Sequence, residues 1–195
     1  MGRVRLSTVE VEITSGIGIH VVGLADVCVK EMLLRVVTAI GSLGFTLPGK
    51  KVVINFSPVN LYKKSSNFDV AVAVAVLVAS GQVAVKEGLL ERCMICGKLG
   101  LDGTIREGDQ YRGYETASLT SQLIGERPLC LLTGKETAIQ ASVYPFISTY
   151  SFGNLANLLE VLSGKAEGVG HLVWNSPEYK EVENGIEEMR SASPL

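Results

Sequence analysis

Apolar and polar residues alternate through RLSTVEVEI, residues 5–13, a period of two that predicts a strand with one covered face. TSGIGIHVVGL follows, with Gly16 and Gly18 as turn residues, so a second strand is expected to pair back on the first as a hairpin. The run ADVCVKEMLLRVVTAIGSLG, residues 25–44, predicts a helix that Asp26 can cap and Gly44 ends. KKVVINFSPV is a strand with Pro58 near its end. ERCMICGKLGLDGTIREG reads as two strands around a turn at Asp102-Gly103. Beyond it come a helix over RGYETASLTSQLIG, a short buried strand at PLCLLTG and a short helix at KETAIQAS. A strand at YPFIST and a helix over FGNLANLLEVLSG, closed by Gly164, complete the pattern.

The segment KKSSNFDVAVAVAVLVASGQ, residues 63–82, sets two lysines and two serines before ten residues drawn only from Val, Ala and Leu. Ten apolar residues are too few for a membrane span, which needs about 20. Val alternating with Ala has a strand-like period, but the flanks favour a buried central helix, with a buried strand as the alternative. Ser66 or Asn67 can serve as N-cap. Ser66 and Asp69 have capping-box spacing, Asp69 complements the helix dipole, and Gly81 suits a C-terminal stop. On such a helix Ala71, Ala75 and Ala79 form a small-residue stripe expected to lie close on a sheet, beside a stripe of Val70, Val74 and Val78.

Strands alternating with helices predict one α/β-type (α+β) domain over residues 1–165. From residue 166 to 195 the chain turns polar and reads as a tail or linker. With 195 residues there is enough chain for a real core, and 6% aromatic content means that core is built from aliphatic side chains. A formal net charge of −2 predicts no strong polyanion partner. Residues 1–15 show no signal-peptide pattern. Cys28, Cys93, Cys96 and Cys130 lie in apolar runs, which suggests reduced thiols in a cytoplasmic protein.

GFTLPGKK, residues 44–51, nearly matches a phosphate-binding loop, but Lys51 stands where Ser or Thr would hold magnesium. The order is also reversed, with a helix before and a strand after. TGKET at 133–137 lacks the first glycine, its place being Leu129. No ATPase site and no cofactor is therefore expected in this chain. CMIC is a single CxxC without a second ligand pair, so buried structural cysteines are expected rather than zinc. In a strand its two cysteines point to opposite faces. His20 and His171 have no neighbouring carboxylate motif and are expected to be structural or exposed. Lys50, Lys51, Lys63 and Lys64 flank the strand at 51–59 and, with Arg106, are candidate partner contacts. They allow weak contact with a phosphate backbone or an acidic partner.

The pieces VEVEI, VVGLADVCVKEMLLRVVTAIGSLGF, VVINFSPVNLYKKSSNFDVAVAVAVLVASGQV and GKLGLDGTIR occur in this order. Together they resemble the N-terminal domain of the magnesium-chelatase-like AAA+ proteins of the ComM (YifB) type, over about residues 8–163. The resemblance rests most on Gly23, Leu24, Asp26, Val29 and Glu31, on SSNFD, and on Gly97 to Arg106. It implies a Lon protease C-terminal-like domain of the ribosomal protein S5 domain 2-like group. It also implies an AAA+ ATPase module as partner, in cis or in trans, within a hexameric machine that moves DNA during natural transformation. PEYKEVENG resembles a degraded linker toward that module.

Active Lon-type domains use a serine activated by a lysine. Aligned through SSNFD, the serine position falls on Asn67, with Ser65 and Ser66 before it. The lysine position falls on Arg112, or on Glu115 if the EGDQY loop is an insertion, and arginine does not give up its proton at neutral pH. The resemblance thus implies a non-catalytic domain that assembles, or that contacts substrate or DNA, without metal or membrane and with homo-oligomer formation open. The alternatives are a nucleic-acid-binding S5-like module and a divergent Lon-type serine peptidase.

Overall fold

The computed structural model describes residues 7–23, 26–57, 67–85, 87–106, 129–141 and 147–165. The expected helix over 112–125 and the polar tail from 166 lie outside them, as does the domain boundary.

The architecture is mixed α/β, with two three-stranded sheets, one two-stranded hairpin and four α-helices among the described residues. The first sheet contains β1 (Thr8–Thr14), β2 (Gly18–Val22) and β3 (Lys51–Ser57) in the order β1-β3-β2. The expected hairpin between β1 and β2 does not form. β3 inserts between them, antiparallel to β1 and parallel to β2.

Two physical reasons favour this order. β3 is the most apolar of the three strands, with Val52, Ile54 and Phe56 all buried, and the centre is where a strand is covered on both edges. β1 carries Glu10 and Glu12 and β2 carries Gly18 and His20, residues that suit sheet edges. The link through Ser15, Gly16 and Ile17 must then cross two strand spacings, about 10 Å, over the end of β3. Gly16 (φ 120°) and Gly18 (φ 100°) supply the left-handed backbone that this path needs. A Cβ on Gly16 would stand 3.3 Å from Lys51 Cβ, which shows how closely the link passes.

Helix α1 (Asp26–Ser42) crosses from β2 to β3 and ends at Gly44 (φ 82°), as its pattern predicts. Helix α2 (Asp69–Ala79) is the Val/Ala run and packs on β1 and α1. Its buried residues are Asp69, Val70, Val72, Ala73, Val74, Val76 and Leu77. The alanine stripe is not its contact face: Ala71 and Ala75 are half-buried and Ala79 is exposed. The buried face runs instead through Val70, Ala73, Val74 and Leu77, positions three and four apart on the side of the helix away from that stripe.

A 3₁₀ turn at Leu90–Arg92 leads into β4 (Cys93–Ile95), and a hairpin of β5 (Lys98–Leu99) and β6 (Ile105–Arg106) follows. The second sheet has the order β4-β7-β8, all parallel, with β7 at Leu129–Thr133 and β8 at Ile147–Ser151. Helix α3 (Lys135–Ala141) joins β7 to β8 and packs on both. Helix α4 (Leu155–Leu162) follows β8 and buries Leu155, Leu158, Leu159 and Leu162.

Asn154 caps α4, its side chain accepting from the Asn157 N–H at 2.9 Å. Asn154→Ala is expected to lower stability by about 1 kcal/mol. Urea unfolding measures it, and an unchanged midpoint would show that the cap contributes nothing.

Candidate functional site

The serine position implied by the resemblance falls at the start of α2, so the site is built outward from Asn67. Asn67 and Phe68 form the turn before the helix. Phe68 is the N-cap residue, but its dihedrals are already helical (φ −95°, ψ −8°) and no side chain caps the end. The expected cap from Asn67 is therefore absent, and Ser66 lies outside the described residues.

The first turn is held from outside the helix instead. The Gly97 N–H donates to the Asn67 carbonyl at 3.0 Å, and the Val70 N–H donates to the Gly97 carbonyl at 3.2 Å. One N–H that the helix start leaves open, that of Val70, is thus satisfied by the segment between β4 and β5, which also donates to the carbonyl just before the helix. Gly97 has φ 146°, and a Cβ there would meet Ile105 Cγ2 at 3.0 Å and Val70 Cγ2 at 3.1 Å. Gly97→Ala is expected to cost about 1–3 kcal/mol through backbone strain and overpacking. A thermal melt within experimental error of the parent would contradict this.

Ser66, the expected capping-box partner, lies outside the described residues, but Asp69 does stand in the first turn of α2, where an acid complements the helix dipole. It is fully buried. Arg35 of α1 grips it with both arms, Nε to Oδ2 at 2.6 Å and Nη2 to Oδ1 at 3.1 Å. The Leu99 N–H donates to Oδ2 at 3.1 Å. Burial raises the Asp69 carboxyl above its ordinary range, while the Arg35 and Leu99 hydrogen bonds and the charges of Arg35 and Lys98 pull it down. Glu31, one helical turn before Arg35, reaches it at 3.9 Å but is largely exposed, so it adds little.

The segments that carried the resemblance converge here. Gly23 (φ 90°) ends β2 against the backbone of Phe56, where any Cβ would collide with the Phe56 carbonyl oxygen. The Phe56 ring meets Phe68 edge-on, with centroids 5.3 Å apart. The hairpin from Gly97 to Arg106 closes the third side. In its turn Asp102 Oδ1 accepts from the Thr104 hydroxyl at 2.7 Å and the Thr104 N–H at 3.1 Å, which holds its carboxyl below the ordinary range. The hairpin is also bonded to the start of α4, the Leu155 N–H donating to the Gly103 carbonyl at 2.8 Å.

Chemically, this arrangement offers an amide at Asn67 and a carboxylate committed to an arginine. The Asn67 Oδ1 is buried without a hydrogen-bond partner among the described residues. An amide oxygen in that position is no substitute for a serine hydroxyl as an acyl-transfer nucleophile. Sequence reasoning missed Arg35, whose only local signal was an arginine on the apolar helix α1. Arg112, Glu115, Lys63 and Lys64 lie outside the described residues. Lys50 is exposed and Lys51 half-buried at the start of β3, whereas Arg106 is exposed on β6 of the separate hairpin, its Nε 3.4 Å from Thr104 Oγ1. Lys51 and Arg106 thus stand on different sheets.

Cys93 in β4 and Cys96 just after it turn to opposite sides, as expected, but both are half-buried rather than fully buried. Cys93 packs against the main core, while Cys96 contacts Thr133 Oγ1 at 3.3 Å and packs on the smaller cluster with Leu131 and Ala141. No group of three potential metal ligands occurs among the described residues. No helix among them is long and apolar enough to cross a membrane.

Residues 9–120 match the family model described as subunit ChlI of Mg-chelatase. The chain is 40% identical over 100 residues to the protein YifB of Salmonella typhimurium, covering 51% of this chain and 19% of that one. It is 30% identical over 161 residues to the competence protein ComM of Haemophilus influenzae, covering 82% of this chain and 30% of that one. A relative from Mycobacterium tuberculosis is 37% identical over 118 residues, 60% of this chain and 22% of its own. The chain thus spans less than a third of the length of these curated relatives. The matched region contains the whole α2 site from Gly23 to Arg106, and on that basis the chain belongs to the magnesium-chelatase-like family of the ComM and YifB type.

Proposed function

We propose that this chain is a non-catalytic, Lon-like domain with the ribosomal protein S5 domain 2-like fold, acting in assembly or in substrate contact beside an AAA+ ATPase module. The observation that carries the reading is the start of α2. Asn67 stands at the serine position, and the neighbouring Asp69 is locked to Arg35 and the Leu99 N–H. Membership of the magnesium-chelatase-like family supports an ATPase as the partner. The short share of the relatives that this chain spans fits one domain of a larger protein.

Two measurements test the proposal. In the first, the purified chain is treated with a fluorophosphonate probe and with casein. No labelling and no cleavage are expected, and labelling at Ser65 or Ser66 would make the domain a serine peptidase. In the second, the chain is titrated into the separately expressed ATPase module of a YifB-type relative. Binding with a change in ATP hydrolysis is expected, and its absence would remove the assembly role. A gel shift with single- and double-stranded DNA at low salt distinguishes DNA from protein as the contact. With a formal charge of −2, any shift is expected to be weak and lost as salt rises.

A further inference from the structure

The parallel pairing of β4 with β7 sets Cys93 directly opposite Cys130. Their sulfurs are 2.7 Å apart, closer than two unbonded sulfurs ordinarily approach. Both side chains are half-buried, so neither is sealed from small reagents. Neighbouring strands are about 4.8 Å apart, which falls within the range of roughly 4.4–6.8 Å that disulfides bridge between Cα atoms. Cys96 cannot substitute for either partner, because it turns to the opposite face and contacts Thr133 Oγ1 at 3.3 Å.

We propose that Cys93 and Cys130 are a redox modification site that forms a reversible disulfide stapling β4 to β7, with a low-molecular-weight disulfide such as oxidised glutathione as the oxidant. One thiol loses its proton, and the thiolate attacks a sulfur of the oxidant, forming a mixed disulfide and expelling one glutathione thiolate. The second protein thiol, deprotonated in turn, attacks the protein sulfur of that mixed disulfide and expels the other glutathione. Two protein thiols are oxidised to one disulfide, and one small disulfide is reduced to two thiols. The expectation of reduced cysteines then describes the protein under reducing conditions only.

The bond has a structural consequence. β4 is an edge strand of three residues, joined to one neighbour. It runs directly into Cys96, whose N–H donates to the Leu132 carbonyl at 3.1 Å, and then into Gly97, which holds the first turn of α2 through two backbone bonds. Fixing β4 to β7 therefore fixes the support of the α2 start. The cysteines are 37 positions apart, so the staple also closes the long connection that leads into β7.

The test uses the whole chain, purified reduced, freed of reductant and incubated with oxidised glutathione. Intact mass and peptide mapping are expected to show the loss of two hydrogens and a Cys93–Cys130 linked peptide, both reversed by dithiothreitol. The oxidised chain is expected to melt at a higher temperature, with stronger amide protection at Val70 and Gly97. Cys93→Ser and Cys130→Ser are each expected to abolish the link and leave glutathione on the remaining partner, while Cys96→Ser forms the link like the parent. The parent chain decides the matter even if a variant fails to fold. Glutathione adducts without a link, a link through Cys28 or Cys96, or unchanged thiols in fully oxidised glutathione would each overturn the proposal.

Discussion

Arg35→Met is expected to lower stability at pH 7 by about 3–4 kcal/mol, enough to unfold much of a marginal domain. The substitution keeps an unbranched apolar stem but removes the guanidinium that binds both oxygens of the fully buried Asp69. A buried charge without its partner is costly, and the carboxyl escapes by taking up a proton. Protonating a carboxyl of ordinary pKa at pH 7 costs about 4 kcal/mol, which sets the ceiling on the loss. The sign with pH follows. Asp69 already has a raised pKa in the folded protein, so the folded state holds this proton more tightly than the unfolded one. Stability from this group is greatest in acid and falls as pH rises from the ordinary value of 3.8 toward the folded value. Removing Arg35 takes away the largest influence that restrains the rise, so in the variant the fall continues to higher pH. The deficit relative to the parent is therefore small in acid and grows toward neutrality. Urea unfolding of both proteins across pH 4 to 8 measures it. Adding Asp69→Asn removes the charge but keeps an acceptor for the Leu99 N–H, and the pH dependence of the deficit should vanish. A deficit independent of pH in the single variant would mean that lost packing, not the charge, is responsible.

Much of the local structure was legible because its causes are local. The strand at Lys51–Ser57, the turn at Asp102-Gly103 and the stop at Gly44 each follow from neighbouring residues, and all three are present. The order of the first sheet was not legible by the same means. Ser15, Gly16 and Ile17 satisfy the rules for a hairpin loop equally well whether β1 and β2 touch or β3 separates them. Only the competition for the central position decides, and it involves a strand some thirty residues further along the chain.

The site shows the same division. By local rules Asp69 looked like a cap-associated acid, because a carboxylate in the first turn of a helix usually is one. Its partner is 34 positions away on another helix. Cys93 and Cys130 read separately as apolar fillers, and only the register of β4 on β7 brings them together. The family-like segments were legible as a set, and the structure supplies the physical reason they go together. Gly23, Phe56, Phe68, Asp69 and Gly97 form one connected support for the start of α2.

Phe56→Ala tests that support at its core, with an expected loss of about 3–5 kcal/mol. Phe56 has 0% exposure and heads the fully buried side chains by size, so truncation loses transfer energy and leaves a cavity. The cavity opens under Phe68, whose ring stands at 71° to that of Phe56. Phe68 immediately precedes α2, and its carbonyl accepts from the Val72 N–H at 2.9 Å. Loosening the ring should therefore loosen the first turn of the helix before the rest of the domain. Hydrogen exchange is expected to show reduced protection at Val70 and Val72, while Leu158 and Leu159 of α4 change only as global stability does. A cycle of Phe56→Leu, Phe68→Leu and the double variant isolates the ring contact, expected at about 0.5–1.5 kcal/mol. Additive single effects would show that the two rings merely share the core. Uniform loss of protection in α2 and α4 would show that the domain unfolds as one unit, and that the start of α2 has no separate stability for a partner to act on.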